Sequence, residues 1–146
     1  MIRRQLINFQ NRSVDVRVGL GAFDELSRMF ASAVGKPKRA MVVWNSASSE
    51  RFDEVVEHAL VDAGFAVSQL FLEVSPAGAT LADADAIFGA LSANGITCDD
   101  LVVAVGDAAT CSVVSWCANQ WCGRTECALL PTTFDAMLTV ATTMKP

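Results

Sequence analysis

The chain has 146 residues, 52% of them hydrophobic and 18% charged, with 11 Lys+Arg against 16 Asp+Glu for a net charge of −5. That length suffices for one domain burying about 70% of the surface its unfolded form exposes, with no need of disulfide or metal staples, and two domains would be crowded. An acidic balance, with a pI near 4.7, supplies no general attraction to phosphate backbones or anionic lipid and argues against nucleic acid as a partner.

No apolar run approaches the ~20 residues that cross a bilayer, so no membrane partner is expected. Met1-Ile2-Arg3-Arg4-Gln5 lacks the apolar core of a signal peptide, and the expected location is the cytoplasm. Five cysteines, at positions 98, 111, 117, 122 and 127, suit a reducing compartment. Cys111, Cys117, Cys122 and Cys127 contain no C-x-x-C pair and have no histidine near them, so no metal site is expected. A mean hydropathy of +0.36 is high, and part of the apolar surface is expected to face a partner domain or subunit.

In chain order, Val14 to Val18 alternates apolar and polar residues and predicts a strand, ended by Gly19 and Gly21. Phe23, Leu26, Met29, Phe30 and Ala33 then recur at helical spacing, stopped by Gly35-Lys36-Pro37. Ala40 to Trp44 is a continuous apolar run, as expected of a strand covered on both faces. Residues Asn45 to Ser49 read as a polar loop with groups ready to cap a helix that turns Phe52, Val55, Val56, Ala59 and Leu60 to the core.

Phe65 to Leu72 predicts a further strand. Thr80 and Asp83 then have the spacing to cap a helix with Leu81, Ala84, Ile87, Phe88 and Leu91 as its stripe. Leu101 to Val105 is a second continuous apolar strand, Ala108 to Gln120 is helical, and Cys127 to Leu130 is a last strand. The alternation predicts an α/β, Rossmann-like domain, a mostly parallel sheet with helices on both faces. Ligands of such sheets bind beyond the carboxyl ends of the strands, which directs attention to residues 44–49, 75–79, 106–112 and 131–133.

The segment from Leu101 to Lys145 resembles the nucleotide-binding part of the 3-dehydroquinate synthase family, one of the sugar-phosphate cyclases. Under a single offset, Leu101 to Gly106 falls on the family's apolar strand and first loop glycine, Pro131-Thr132-Thr133 on its Pro-Thr-Thr loop, and Lys145 on its G-G-K lysine. Val16 to Gly21 is similar to the opening strand and I-G-x-G turn, and Val42 to Asn45 to the second strand and nucleotide-facing loop. The resemblance implies the fold of the family's N-terminal domain, with NAD as cofactor and a nucleotide or sugar phosphate as small-molecule partner. It implies Asn45, Gly106, Thr132 and Thr133 as cofactor-binding residues and Lys145 as the catalytic one.

The chain departs from the family where the chemistry lies. The phosphate-cradling G-G-G-x-x-G-D becomes Gly106-Asp107-Ala108-Ala109-Thr110-Cys111-Ser112, which keeps one glycine and places a carboxylate where a pyrophosphate would approach backbone amides. The Glu and Lys of G-E-x-x-K are absent from Ser75 to Ala79, Gly123 replaces a substrate-binding arginine one residue from Arg124, and Thr139 replaces the Asp of V-D-S-S. The family's metal ligands belong to a helical C-terminal domain not contained in residues 1–146.

Two functions stay open at this point. One is the N-terminal NAD-binding-type domain of a 3-dehydroquinate-synthase-like lyase of the shikimate pathway, with NAD binding weak or lost and the chain inactive by itself. The other is a non-catalytic relative that binds another ligand or a protein, as a homodimer or beside a missing C-terminal domain. At Asp107, helix capping competes with a contact to a cation or ribose. At Thr132 and Thr133, a dinucleotide contact competes with capping of the helix near Phe134. His58, among acidic neighbours, reads as an exposed imidazole.

Overall fold

The computed structural model describes residues 1–10 and 12–140. Strands β1 (Arg3–Phe9) and β2 (Arg12–Val18) form an antiparallel hairpin, with Phe9 opposite Arg12 and Arg3 opposite Val18. This pair is a sheet of its own, so the strand expected over Val14 to Val18 exists but does not join the parallel sheet. Its partner, RRQLINF, escaped the sequence reading because it shows no apolar alternation, and Arg3 to Leu6 are exposed.

A polar clasp fixes the hairpin. Asp15 accepts from Arg4 Nε at 3.1 and 3.2 Å and from Arg17 at 3.4 Å, while Arg17 also donates to Glu25 at 2.7 Å. The Arg4 hydrogen bond, opposed in part by burial and reinforced by Arg17, holds the Asp15 carboxyl below its ordinary range. Gly19, at φ 153°, follows β2 where a Cβ would lie 2.5 Å from the carbonyl oxygen of Met1, so no other residue fits.

A 3-10 turn at Ala22–Glu25 leads into α1 (Leu26–Ala33), which buries Leu26 and Phe30. Then follow β3 (Arg39–Trp44), α2 (Ser46–Ala63), β4 (Ala66–Phe71), α3 (Leu81–Ala93), β5 (Leu101–Gly106), α4 (Ala108–Gln120), β6 (Glu126–Pro131) and α5 (Phe134–Thr139). The main sheet has the order β4-β3-β5-β6 and every pairing in it is parallel.

Every residue from Ala40 to Trp44 and from Leu101 to Val105 is 0% exposed, which is why both central runs are apolar without interruption. Successive side chains point to opposite faces. Ala40, Val42, Trp44, Leu101, Val103 and Val105 pack against α1 and α2, whereas Met41, Val43, Val102 and Ala104 pack against α3 and α4. The fold is therefore an α/β, Rossmann-like layer structure with helices on both faces.

Local capping follows the sequence at α3, where Thr80 N donates to Asp83 at 2.7 Å and the Thr80 hydroxyl accepts from Asp83 N at 3.4 Å. It departs at α2. Residues 46–49, expected as loop, form the first helical turn, and Val55, expected in the core, is 48% exposed while Val56, Ala59 and Leu60 are buried.

Beyond β3 the chain crosses to β4, and beyond β5 it crosses the opposite way to β6. The ends of β3 and β5 therefore diverge, and the crevice between them is where an open α/β sheet receives a ligand.

Candidate nucleotide-facing crevice

Asn45, the first residue beyond β3, keeps an extended backbone (φ −93°, ψ 158°) and caps α2, its side-chain oxygen accepting from Ser48 N at 3.0 Å. Glu73, in the segment after β4, accepts from Ser46 N at 3.3 Å and also from the Ser46 hydroxyl. The positive end of α2 is thus answered by the chain's own amide and carboxylate groups.

The end of β5 is arranged in the same way. Asp107 caps α4, accepting from Thr110 N at 2.9 Å and from the Thr110 hydroxyl at 2.8 Å. Thr110 is fully buried against the strand end, and a Cβ at Gly106 would stand 3.0 Å from Thr110 Cβ and 3.1 Å from its methyl. Gly106 is needed for that approach within the protein.

Beyond β6, Thr132 N donates to the Gly106 carbonyl at 2.9 Å, and the Thr132 hydroxyl lies 3.2 Å from the hydroxyl of Ser48. The Thr133 hydroxyl accepts from Ala136 N at 3.3 Å and caps α5. The structure therefore gathers Asn45, Gly106, Thr132 and Thr133 at the strand ends, through bonds internal to the chain. Lys145 lies outside the described residues.

Ser48 and Glu73 join this group without having been singled out in the sequence. Ser48 had a signal in the Asn-x-x-Ser spacing at the helix start; Glu73 had none, since its partner is remote in sequence. Arg124, by contrast, precedes β6 at the amino end of the sheet, opposite the crevice. The Thr139 hydroxyl donates to Asp135 O at 2.9 Å within α5.

The three thiols that are not exposed are poor nucleophiles. Burial, with the negative charge of Asp107 adding to it, pushes Cys111 up to about 12, and burial alone pushes Cys117 up to about 12. Cys127 is raised by burial too. His58 is an exposed imidazole 3.7 Å from Asp62, as its acidic neighbours suggested. Among the described residues, no group of three or more His, Cys, Asp or Glu could hold a metal ion, and no helix is long and apolar enough to cross a membrane.

A dinucleotide needs free amides and room for a diphosphate at a helix N-terminus. Here the α4 amide of Thr110 is already taken by Asp107, whose charge would repel phosphate. At ~4 Å and an effective dielectric near 20 the repulsion is about 4 kcal/mol. The Asp107 cap thus sets a carboxylate at the start of α4, where a pyrophosphate would approach. An open recess of about 440 Å³, lined by Phe23, Asp24, Glu54, Val55, His58 and Asp62, lies on the α1 and α2 face away from the strand ends.

No family model matches the chain, and no curated protein matches it by sequence. Solved structures do. A 2-deoxy-scyllo-inosose synthase complexed with carbaglucose-6-phosphate, NAD+ and Co2+ superposes with a TM-score of 0.78 at 16% identity, covering 90% of this chain and 36% of that one. A second structure of 2-deoxy-scyllo-inosose synthase gives 0.78, 16%, 90% and 37% for the same quantities. The 2-epi-5-epi-valiolone synthase from Streptomyces hygroscopicus subsp. jinggangensis 5008, with NAD+ and Zn2+ bound, gives a TM-score of 0.60 at 17% identity over 70% of this chain and 28% of that one. The chain spans little more than a third of the length of the first of these structures. It shares an α/β, Rossmann-like fold with part of each of these synthases.

Proposed function

We propose that this chain is a domain of the type that holds NAD at the N-terminus of 3-dehydroquinate-synthase-like enzymes, with its diphosphate seat closed by its own carboxylates. The observation that carries the reading is the Asp107 cap on Thr110, at 2.9 and 2.8 Å, in a fold shared with NAD-bearing cyclases. Asn45, Gly106, Thr132 and Thr133 retain the positions of the nucleotide-facing wall, and Lys145 is assigned the place of the family's lysine. The lyase reaction draws its metal ligands from a second domain, so residues 1–146 alone would not turn over a sugar phosphate. The reducing cytoplasm is the compartment that fits five free thiols.

Calorimetric titration with NAD tests this reading. No binding tighter than about 1 mM is expected, and micromolar affinity would overturn it.

A second reading, a module that binds a protein, is supported by the outer face of α5, where Phe134, Met137 and Leu138 are 76%, 55% and 58% exposed. Light scattering over a range of concentrations tests it, with self-association expected if a second copy covers that face.

A further inference from the structure

Two of the five cysteines, Cys98 and Cys122, are exposed, and the other three are not. We propose that Cys98 and Cys122 are a disulfide-forming pair, a redox modification site that joins the turn before β5 to the turn before β6.

The two turns are held together at their bases by one hydroxyl. Thr125 Oγ1, on a residue 1% exposed, lies 3.3 Å from Thr97 O and 3.1 Å from Trp121 O, the carbonyls that directly precede the two cysteines. Those carbonyls are therefore within two hydrogen-bond lengths of each other. A second bond runs in parallel, from the Trp121 indole to Ile96 O at 2.7 Å.

The two turns stand side by side because β5 and β6, which they precede, are adjacent parallel strands with Leu101 opposite Glu126, and a disulfide between them needs Cα atoms roughly 4.4–6.8 Å apart.

Both sites are defined before any bond forms. The Asp100 carboxylate, 1% exposed, receives Thr97 N at 2.8 Å, and Asp100 N donates to Thr97 O at 3.2 Å, so Cys98 stands on a fixed turn. Cys122 occupies a left-handed corner (φ 50°, ψ 38°), where its side chain leaves the 3-10 turn at Trp121–Gly123. Neither thiol is needed for packing, unlike the buried Cys111 and Cys117.

The reaction is thiol–disulfide exchange with a low-molecular-weight disulfide. One protein thiolate attacks the disulfide and expels a thiolate, giving a mixed disulfide. The second protein thiolate then attacks the first sulfur and expels the other half. The protein pair loses two electrons and two protons, and the small disulfide is reduced to two thiols.

The test equilibrates the purified chain with oxidised and reduced glutathione over a series of ratios, quenches with acid, and reads intact mass and peptide maps. Expected is the loss of two of the five thiols, a mass lower by two hydrogens, and one linked peptide pair containing Cys98 and Cys122. Cys98→Ser and Cys122→Ser should each abolish the link and leave a single glutathione adduct on the remaining exposed cysteine. Two separate adducts on the wild-type chain, intermolecular dimers, a different pairing, or five free thiols at every ratio would each overturn the proposal.

Discussion

The hydroxyls of Ser48 and Thr132 meet at 3.2 Å above the carboxyl end of β5, joining the first turn of α2 to the segment that follows β6. The Thr132 amide is already bound to the Gly106 carbonyl at 2.9 Å, so Thr132 is held by both neighbours of the crevice. In the resemblance to 3-dehydroquinate synthase, this threonine faces a dinucleotide. Here its hydroxyl straps the fold, and Ser48, at 3% exposure, has no water to replace it.

That pairing predicts non-additive mutational costs. Thr132→Val should lower stability by about 1 kcal/mol because it strands the buried Ser48 hydroxyl, and Ser48→Ala by less because the Thr132 hydroxyl is only half-buried. The double variant should cost about 0.5 kcal/mol less than the two combined, read from urea unfolding. Strict additivity would show that the two hydroxyls do not interact.

Asp107 separates capping from ligand exclusion. Asp107→Ala removes the acceptor for Thr110 N and should cost about 1 kcal/mol, whereas Asp107→Gly should cost only a few tenths. With the carboxylate gone, NAD affinity of the glycine variant should rise at least tenfold, toward the roughly thousandfold limit set by about 4 kcal/mol of repulsion. An isotherm identical to the wild type would remove the electrostatic account of the closed seat.

The same residues show what was legible in the sequence. The runs at 40–44 and 101–105 announced the two central strands because burial on both faces leaves no position for a polar residue. Thr80, Asp83 and Asp107 announced helix starts because capping is a local interaction at fixed spacing. Strand β1 stayed hidden, since its stability comes from pairing with β2 and from the Arg4–Asp15 clasp rather than from an apolar face. Glu73 stayed hidden for the related reason that its bond to Ser46 spans two elements. Asn45, Gly106, Thr132 and Thr133 fall at the carboxyl ends of the strands, as the alternation of elements implied, but their bonding to one another followed from the packing of α2, α4 and the segment after β6, which no local pattern encodes.

Gly106→Ala should be poorly tolerated. The added methyl would lie 3.0 Å from Thr110 Cβ and 3.1 Å from Thr110 Cγ2, inside a fully buried site, and about 1–3 kcal/mol of destabilisation is expected. Adding Thr110→Ser removes the methyl contact while keeping Cβ and the hydroxyl that donates to Asp107, so it should restore part of the loss. Full wild-type stability in Gly106→Ala alone, by thermal or urea melt, would contradict the tight approach.

Alkaline pH should unfold the chain through its buried thiols. Cys111 and Cys117 are raised from 9.0 to about 12 in the fold, mainly by burial. Between those values the folded state keeps protons that the unfolded state has released, so unfolding is favoured as pH rises. Their contribution is intact below about pH 9 and is lost toward pH 12, at up to ~1.4 kcal/mol per thiol per pH unit. Urea melts from pH 8 to 10.5 should show this decline, and Cys111→Ala or Cys117→Ala should flatten it while lowering stability at neutral pH through the cavity left behind. Over the same range, alkylation of the folded chain should label the exposed Cys98 and Cys122 and spare the other three until the fold opens. A stability that stays level to pH 10.5 in the wild type would mean that these thiols ionise without unfolding, and that the interior around α4 admits charge that its packing argues against.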